Sequence, residues 1–561
     1  MWTENAKMIL SERYSLKDKN GNSIEVPELI VERIASNLAN SEQEHNQFVY
    51  VLENKLFLPN TPAWINVGNP RKGTASACFT FEVEDDIENI FHVMGTKAAV
   101  ITKQGGGVGF NLSKIRPRGD LVRSSGKIAS GVVSWMRIAN TMADVVSQGG
   151  VRRGAIMCLL DVSHPDIFEF IESKTKNETD FKNMNISVAI TDNFMEAVKK
   201  NEMWDLINPR NGEVWNSISA VYLFNKISKC AAKYGEPGIV FIDRINQFNP
   251  TPHLGRMTAV NPCAEYPGYD NESCTLGSIN LYAHLDKREF GFDYLELEKT
   301  VRIAVRMLDR VIEKNVYAFD EIKEATLKTR KIGIGVMGWA TSLIAMRIRY
   351  GSPKSIQLAE EVMSFINGIA ADESHKIALE RGAYPASKDG EFAHATRTTI
   401  APTGTISIVA NVSGGIEPLF SFVVRRKILG GKTIDVYDPA FLKICEQYNI
   451  PQEEIDKACS FGSLRGTKFP DFLKDFVVTI NDLKPDDHLY TQQAFQKYTD
   501  NAVSKTINLP AGSTVDNVKE VYIKAFDLGL KGLTVYIDGS RTEQVLNRPT
   551  TDHCPNGRCI V

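Results

Sequence analysis

The segment Asn261-Pro262-Cys263-Ala264-Glu265 places an amide, a thiol and a carboxylate close together in the chain. Pro262 disfavours an interior helix and favours a rigid extended or turn geometry. In an extended run alternate side chains share one side, so Asn261, Cys263 and Glu265 are expected to converge. A thiol between a potential base and a hydrogen-bond donor suits covalent or radical chemistry, although a surface loop can produce the same pattern by chance.

Two further cysteines lack a chemical partner in their own neighbourhood. They are Cys78, in GTASACFTFEVEDD, and Cys274, in NESCTLGSINL. Cys274 follows Cys263 after a short stretch of chain, so a brief excursion can return it to the same site. Spacing alone does not place Cys78.

The C-terminal pair Cys554 and Cys559 stands in the sequence CPNGRC. A turn through the Asn-Gly pair would bring the two sulfurs within disulfide range, and the adjacent arginine favours thiolate, which exchanges readily. The chain from Arg541 to Cys554 spans about 20 Å as a flexible coil and about 45 Å when extended. This pair can therefore reach an interior site; an inert tail or a remnant metal site is the alternative.

Three glycine-containing runs have the composition of ligand-binding loops. The run PTGTIS, from Pro402 to Ser407, can face a phosphate with backbone N–H groups and hydroxyls if a helix begins nearby. The run SQGGVRRG carries Arg152 and Arg153, and either adapts to a ligand or forms a solvated turn. The run GIGVMG, from Gly333, matches GxGxxG, but no acidic residue follows in a second strand, so it favours tight packing over dinucleotide binding.

Composition limits the classes of protein that this chain can be. Of its 561 residues, 43% are apolar and 24% are charged, which excludes a disordered, collagenous or coiled-coil chain. The formal charge of -3 gives no global basic field that would attract nucleic acid. Neither a membrane-spanning apolar run nor a signal peptide is recognisable, so no membrane association and a cytoplasmic location are expected. No metal-ligand spacing pattern is present among the cysteines.

Periodicity divides the chain into three regions. Residues 1–55 show helical spacing of apolar residues, which predicts a helical N-terminal region. Residues 56–541 alternate between strand-like and helix-like segments, which predicts one large α/β body and favours a barrel. Residues 542–561 have little periodicity and are predicted to form a flexible, redox-active tail.

Several of these motifs, in this order, resemble the catalytic subunit of ribonucleotide reductase. They are NPCAE, ESCTLGSINL, APTGTIS, SGGIEP, KGLTVYIDGSR and the cysteine-containing tail. The resemblance is greatest to the class II, adenosylcobalamin-dependent enzymes, and it extends from about Arg13 to the C-terminus. It implies a ten-stranded α/β barrel of two five-stranded halves with a central finger loop, preceded by the helical region.

The resemblance implies a role for each group at the motif. Cys263 is expected to be the thiyl radical that removes the ribose 3′ hydrogen. Glu265 is expected to be the base on the 3′-hydroxyl, and Asn261 to hydrogen-bond and orient the substrate. Cys78 and Cys274 are expected to be the dithiol that becomes a disulfide as the 2′-hydroxyl leaves as water.

The resemblance also implies binding sites and partners. Cys554 and Cys559 would re-reduce the active-site disulfide and then be reduced by a thioredoxin-like protein. The substrate is expected to be a ribonucleoside diphosphate, and the effector a dNTP or ATP bound at a homodimer interface. The residues implied to bind substrate are Thr61, Ala77, Pro402, Thr403, Gly404, Thr405, Ile406 and Ser407. Those implied to bind the effector are Asp85, Arg123, Gln148, Arg152 and Arg153.

Two departures from relatives shape the expected regulation and radical source. The sequence lacks the additional N-terminal domain through which ATP and dATP control overall activity in many relatives, so specificity control alone is expected. Class I subunits have adjacent tyrosines where this chain has only Tyr536, in GLTVY, which favours adenosylcobalamin. A class I subunit that needs a metal-bearing radical partner is the nearest alternative. A nonenzymatic nucleotide-binding regulator is a third, and the complete cysteine set argues against it.

Overall fold

The structure is a computed structural model. It describes residues 2–540 except 72, 123–125, 148–154, 176–179, 287–290 and 428–432. The predicted tail, residues 542–561, therefore lies outside the described residues.

Helices open the chain and then alternate with strands. The α-helices are α1 Glu4–Ile9, α2 Pro27–Leu38, α3 Glu42–Glu53, α4 Thr61–Asn66, α5 Ile87–Ile90, α6 Ala98–Lys103, α7 Val132–Ser147, α8 Ile167–Glu172, α9 Asp192–Lys200, α10 Ala220–Tyr234, α11 Ile242–Gln247, α12 Tyr294–Lys314, α13 Asp320–Thr329, α14 Trp339–Ala345, α15 Pro353–Arg381, α16 Ile406–Ala410, α17 Pro439–Gln447, α18 Gln452–Phe461, α19 Asp471–Lys474, α20 Pro485–Gln496 and α21 Val515–Asp527. Leu10–Tyr14 and Phe91–Lys97 form π-helical turns.

Within the described residues, the strands form one large sheet and five two-stranded sheets. They are β1 Phe57–Pro59, β2 Cys78–Glu82, β3 Gly107–Asn111, β4 Leu121–Val122, β5 Lys127–Ile128, β6 Ile156–Asp161, β7 Met184–Ile190, β8 Met203–Ile207, β9 Val214–Ser219, β10 Gly238–Phe241, β11 Ala259–Val260, β12 Pro267–Gly268, β13 Glu272–Asn280, β14 Leu285–Asp286, β15 Gly291–Phe292, β16 Ile332–Met337, β17 Val423–Lys427, β18 Thr433–Tyr437, β19 Thr506–Leu509 and β20 Gly532–Ile537.

The large sheet has ten strands, ordered β1-β13-β2-β3-β6-β7-β10-β20-β19, with β16 also paired to β13. The run β2-β3-β6-β7-β10 is parallel throughout. It joins the other strands through the antiparallel pairs β2–β13 and β10–β20. The predicted fold class is confirmed as a helical N-terminal region followed by a large mixed α/β sheet domain.

Two isolated β-bridges extend the pairing beyond β16. Ile334 in β16 bridges Thr398, and Ile400 bridges Val503, just before β19. Residues 398–400 thus connect β16 toward β19, which is the connection that closure into a ten-stranded barrel requires. Closure itself stays a prediction.

Two large apolar cores cover the sheet. In the first, α2, α3, α12 and α15 pack with β1, β13 and β16. In the second, α7, α10 and α21 pack against the five parallel strands. Parallel strands covered on both faces are expected to be continuously apolar, as IMCLLD in β6 illustrates.

The GxGxxG motif of β16 is a packing feature, as predicted. A Cβ atom at Gly335 would lie 2.3 Å from the carbonyl oxygen of Thr399, and one at Gly333 would lie 2.8 Å from the Cβ of Thr399. The glycines therefore let β16 approach the backbone of residues 398–400 closely. Among the described helices, none is both long and apolar enough to cross a bilayer.

Candidate active site

A tight loop packed against strands β3 and β7 carries the NPCAE motif. Strands β11 and β12 pair antiparallel and hold residues 261–266 between them. The Asn261 N–H donates to the Tyr266 carbonyl at 3.1 Å, and the Tyr266 N–H donates to Asn261 Oδ1 at 2.9 Å. Ala264 has a φ of 62°, in the left-handed region. The predicted extended run is therefore wrong, because the segment turns sharply at Ala264.

The turn separates the three polar groups by exposure. Asn261 and Glu265 are buried, at 0% and 3% exposed. Cys263, at the tip, is exposed. The alternation of side chains along a strand therefore does not apply to this segment. The Cys263 thiol projects from the loop, whereas the side chains of Asn261 and Glu265 are buried.

Contacts with two strands fix the position of this loop. A Cβ atom at Gly109 in β3 would lie 1.8 Å from the carbonyl oxygen of Val260, and one at Gly107 would lie 3.1 Å from Cγ of Pro262. Asn185 in β7 donates from Nδ2 to the Pro262 carbonyl at 3.0 Å. The glycine alternation in GGGVGF is the sequence signal that indicates such a close approach, whereas nothing in the sequence distinguishes Asn185.

Cys78 and Cys274 are directly opposite each other in the antiparallel pair β2–β13. Cα atoms of such opposed residues are about 4.5–5.5 Å apart, within the range of about 4.4–6.8 Å that a disulfide requires. Asn261 donates from Nδ2 to Cys78 Sγ at 3.2 Å, which ties the dithiol to the Cys263 loop. The structure thus brings Asn261, Cys78 and Cys274 together.

The surroundings of the Cys274 thiol disfavour its charged form. Cys274 is 0% exposed, and burial raises the pKa of its thiol well above the ordinary value. A hydrogen bond with Cys78 and the negative charge of Glu265 raise that pKa further. Glu265 therefore lies near enough to the dithiol for their charges to interact.

Cys263 faces a cavity of about 240 Å³, lined also by Asn185, Pro402 and Lys505. A second cavity, of about 550 Å³, adjoins it. The residues that line both are Gly235, Pro402, Glu417, Thr506 and Thr534. The thiol thus faces a space that continues into a larger one.

The lining of the Cys263 cavity includes a buried cation, Lys505. Lys505 Nζ donates to Glu417 and to His488 Nδ1, the latter at 2.9 Å. Burial lowers the pKa of Lys505, and burial together with this lysine lowers the pKa of His488 well below its ordinary value. The Thr506 N–H also donates to Glu417 at 2.8 Å, so the carboxylate of the SGGIEP motif is held in a fixed orientation.

The predicted phosphate-binding segment leads into a short helix. Helix α16 begins at Ile406, and Thr405 is its N-cap residue. Thr403 has a φ of 54°, and its hydroxyl accepts from the Gly415 N–H at 2.8 Å. Pro402 and Gly404 line the larger cavity. Ser407 is buried, and its hydroxyl has no hydrogen-bond partner within the described part of the chain.

Two consecutive residues link the predicted substrate segments. Arg13 donates to Thr405 Oγ1 at 3.1 Å, and the Tyr14 hydroxyl is 3.0 Å from that of Thr61. Ala77 lies at the dithiol, where its N–H donates to the Cys274 carbonyl at 3.0 Å. No sequence motif marks Arg13 and Tyr14 as site residues, because the residues they contact are distant along the chain.

The predicted effector residues are only partly covered by the structure. Asp85 pairs with Arg116, whose Nε is 2.7 Å from Oδ2. Arg116 also donates to the Leu121 carbonyl at 3.1 Å, which places Asp85 beside the hairpin β4–β5. The remaining residues of this set, and both tail cysteines, lie outside the described residues: Arg123, Gln148, Arg152, Arg153, Cys554 and Cys559.

Comparison with protein families assigns nearly the whole chain. The model "Ribonucleotide reductase, all-alpha domain" matches residues 2–72. The model "Ribonucleotide reductase, barrel domain" matches residues 76–394 and 387–536.

Similar curated proteins cover the same length. A vitamin B12-dependent ribonucleoside-diphosphate reductase of Mycobacterium tuberculosis is 41% identical over 559 residues, 97% of this chain and 80% of the relative. One of Thermoplasma acidophilum is 41% identical over 90% of this chain and 67% of the relative. A ribonucleoside-diphosphate reductase subunit alpha of Chlamydia muridarum is 28% identical over 96% of this chain and 58% of the relative.

Proposed function

This chain belongs to the ribonucleotide reductase family, and we propose that it reduces ribonucleoside diphosphates to deoxyribonucleotides with adenosylcobalamin as its radical source. The observation that carries the proposal is the constellation of Asn261, Cys78 and Cys274 at the base of the loop that presents Cys263. Relatives named as vitamin B12-dependent reductases, at 41% identity, support the cofactor.

The adjoining cavity of about 550 Å³ has a mainly apolar lining, which suits contact with one face of a large cofactor. Its lining includes Leu419, Phe420, Val424 and Tyr536 beside the polar groups of Asn508. These residues would hold adenosylcobalamin next to the cavity of Cys263. When bound, the cofactor supplies a radical by homolysis of its cobalt–carbon bond, and the protein positions and protects the reacting groups.

Each residue of the site has its own role in the proposed reaction. Cys263, as a thiyl radical, takes the 3′ hydrogen atom, while Glu265 accepts the 3′-hydroxyl proton. The 2′-hydroxyl leaves as water, and Cys78 and Cys274 together supply two electrons and become a disulfide. Cys263 then returns its hydrogen atom to the 3′ carbon, and Asn261 keeps the substrate and the dithiol in register.

Binding of the substrate phosphates is assigned to the Thr403–Ser407 segment and to Thr61. The contacts of Arg13 and Tyr14 with these segments support this assignment, since an arginine beside hydroxyls suits a diphosphate. The proposal includes an effector site at Asp85 and Arg123 with the 148–153 loop, coupled to the substrate site as a linkage between two nucleotides. It also includes a homodimer, a cytoplasmic location and re-reduction by a thioredoxin-like protein.

Addition of the cofactor tests the proposal. The purified chain, adenosylcobalamin, a dithiol and a ribonucleoside diphosphate are expected to yield deoxyribonucleotide without a second protein, as measured by chromatography of the products. Methylcobalamin is the matched control and is expected to give no product. Inactivity that is relieved only by a metal-bearing partner subunit would instead establish the class I arrangement.

Replacing both tail cysteines, Cys554→Ser with Cys559→Ser, is expected to slow multiple turnover with thioredoxin while permitting one round from the prereduced enzyme. The reason is that Cys274 is buried and Cys78 only partly exposed, so a folded reductant protein needs a small, tethered dithiol to reach the disulfide. Single-turnover and steady-state rates measure the two quantities separately. Unchanged multiple turnover with thioredoxin would refute the shuttle role.

A further inference from the structure

The two sulfurs of the active-site dithiol differ in how accessible they are. Cys274 lies within β13, where every residue is buried, and is itself 0% exposed. Cys78 opens β2 and is partly exposed. An external thiolate must reach a sulfur along the S–S axis, so this difference decides which sulfur it can attack.

Tyr266 contributes to covering the inaccessible sulfur. It forms one buried cluster with Ala77, Cys274 and Leu276, and Cys78 packs against the edge of that cluster. Tyr266 is only 1% exposed, and its hydroxyl donates to the Ser273 carbonyl, next to Cys274, at 3.3 Å.

The Cys263 loop holds Tyr266 in this place. Two hydrogen bonds with Asn261 fix its backbone, and Lys331 Nζ lies 5.7 Å from the centre of its ring. The same Asn261 donates to Cys78 Sγ. The loop that presents the radical cysteine therefore also covers one sulfur of the dithiol and leaves the other accessible.

We propose that Tyr266 makes re-reduction of the Cys78–Cys274 disulfide directional, so that an incoming thiolate attacks Cys78 and never Cys274. The inference rests on the proposed function, in which this disulfide forms once in each turnover. It makes Tyr266 a positioning residue, which acts through its cover over Cys274.

Thiol–disulfide exchange reduces the Cys78–Cys274 disulfide in two steps. A thiolate of the reducing dithiol bonds to Cys78 Sγ, the Cys78–Cys274 bond breaks, and its electron pair passes to Cys274 Sγ, which takes a proton. The second thiol of the reductant, as thiolate, then attacks its partner sulfur in the mixed disulfide and releases Cys78, which takes a proton. Two electrons leave the reductant as it becomes a disulfide. Burial raises the pKa of Cys274, so this sulfur ends the first step as a thiol.

Labelling of the prereduced full-length protein tests whether Cys78 is more accessible to attack than Cys274. With iodoacetamide, followed by peptide mass spectrometry, Cys78 is expected to react at least about tenfold faster than Cys274, because access limits a buried thiol. Tyr266→Phe keeps the ring and is expected to preserve the ratio, whereas Tyr266→Ala is expected to accelerate only Cys274. Cys158, 0% exposed in β6, reports unfolding. Equal rates for Cys78 and Cys274 in the unsubstituted protein would overturn the proposal.

A second arm leaves Tyr266 in place, so it does not depend on how the alanine variant folds. An aromatic disulfide is expected to form a mixed disulfide with Cys78 in Cys274→Ser and to leave Cys274 unmodified in Cys78→Ser. Rapid modification of Cys274 in the latter would overturn the proposal. Neither arm requires turnover, so a failure of the proposed function would be seen in the activity assay and not in these measurements.

Discussion

Replacing Cys263 by alanine is expected to abolish nucleotide reduction while leaving nucleotide binding nearly intact. The thiol is exposed at the tip of its loop, and its removal leaves the buried contacts of Asn261 and Tyr266 in place. No other described cysteine lines the cavity that Cys263 faces. The loss in kcat should therefore be at least about 10,000-fold, the scale seen when a residue that carries the chemistry is removed.

The measurement pairs steady-state product formation with nucleotide affinity by equilibrium dialysis. Cys230→Ala is the matched control, because Cys230 is buried in α10, away from either cavity. It is expected to leave kcat essentially unchanged, because Cys230 lines neither cavity. A Cys263→Ala protein that retains more than about 1% of activity would show that another group carries the radical.

The local chemistry of the site was readable from the sequence, but its assembly was not. Asn261, Cys263 and Glu265 stand out because three reactive types occur within one short segment. The meeting of Cys78 with Cys274 depends on the register of β2 against β13, and a pairing so distant along the chain leaves no periodic signal. Only the family resemblance predicted it.

The geometry of the Cys263 loop departs from the predicted one for a physical reason. The extended geometry assumed for residues 261–265 fails because Ala264 adopts a left-handed backbone conformation, which alternation does not reveal. Periodicity did predict the helical start and the α/β body, since burial on one or both faces of an element determines those patterns. Contacts such as that of Asn185 with the Pro262 carbonyl arise only after folding.

Replacing Gly109 by alanine is expected to lower kcat by about 100-fold or more, although the residue does not line the cavity that Cys263 faces. The added Cβ would lie 1.8 Å from the Val260 carbonyl oxygen, a backbone atom at the entry to the Cys263 loop. The loop must move to relieve this contact, and a displacement of about 1 Å at a reacting group costs about 100-fold in rate. The overpacking itself should cost about 1–3 kcal/mol of stability, which thermal unfolding would measure.

Alanine substitutions at two other glycines are the controls for the effect of Gly109→Ala on kcat. At Gly107 the added Cβ would meet a side-chain atom, Cγ of Pro262, at 3.1 Å, so a smaller loss is expected. At Gly368, inside α15, it would meet nothing within 4 Å, and alanine there is expected to stabilise the helix by about 0.5–1 kcal/mol at unchanged kcat. The expected kcat is thus highest for Gly368→Ala, lower for Gly107→Ala and lowest for Gly109→Ala. Unchanged kcat in a folded Gly109→Ala protein would show that β3 does not position the radical cysteine.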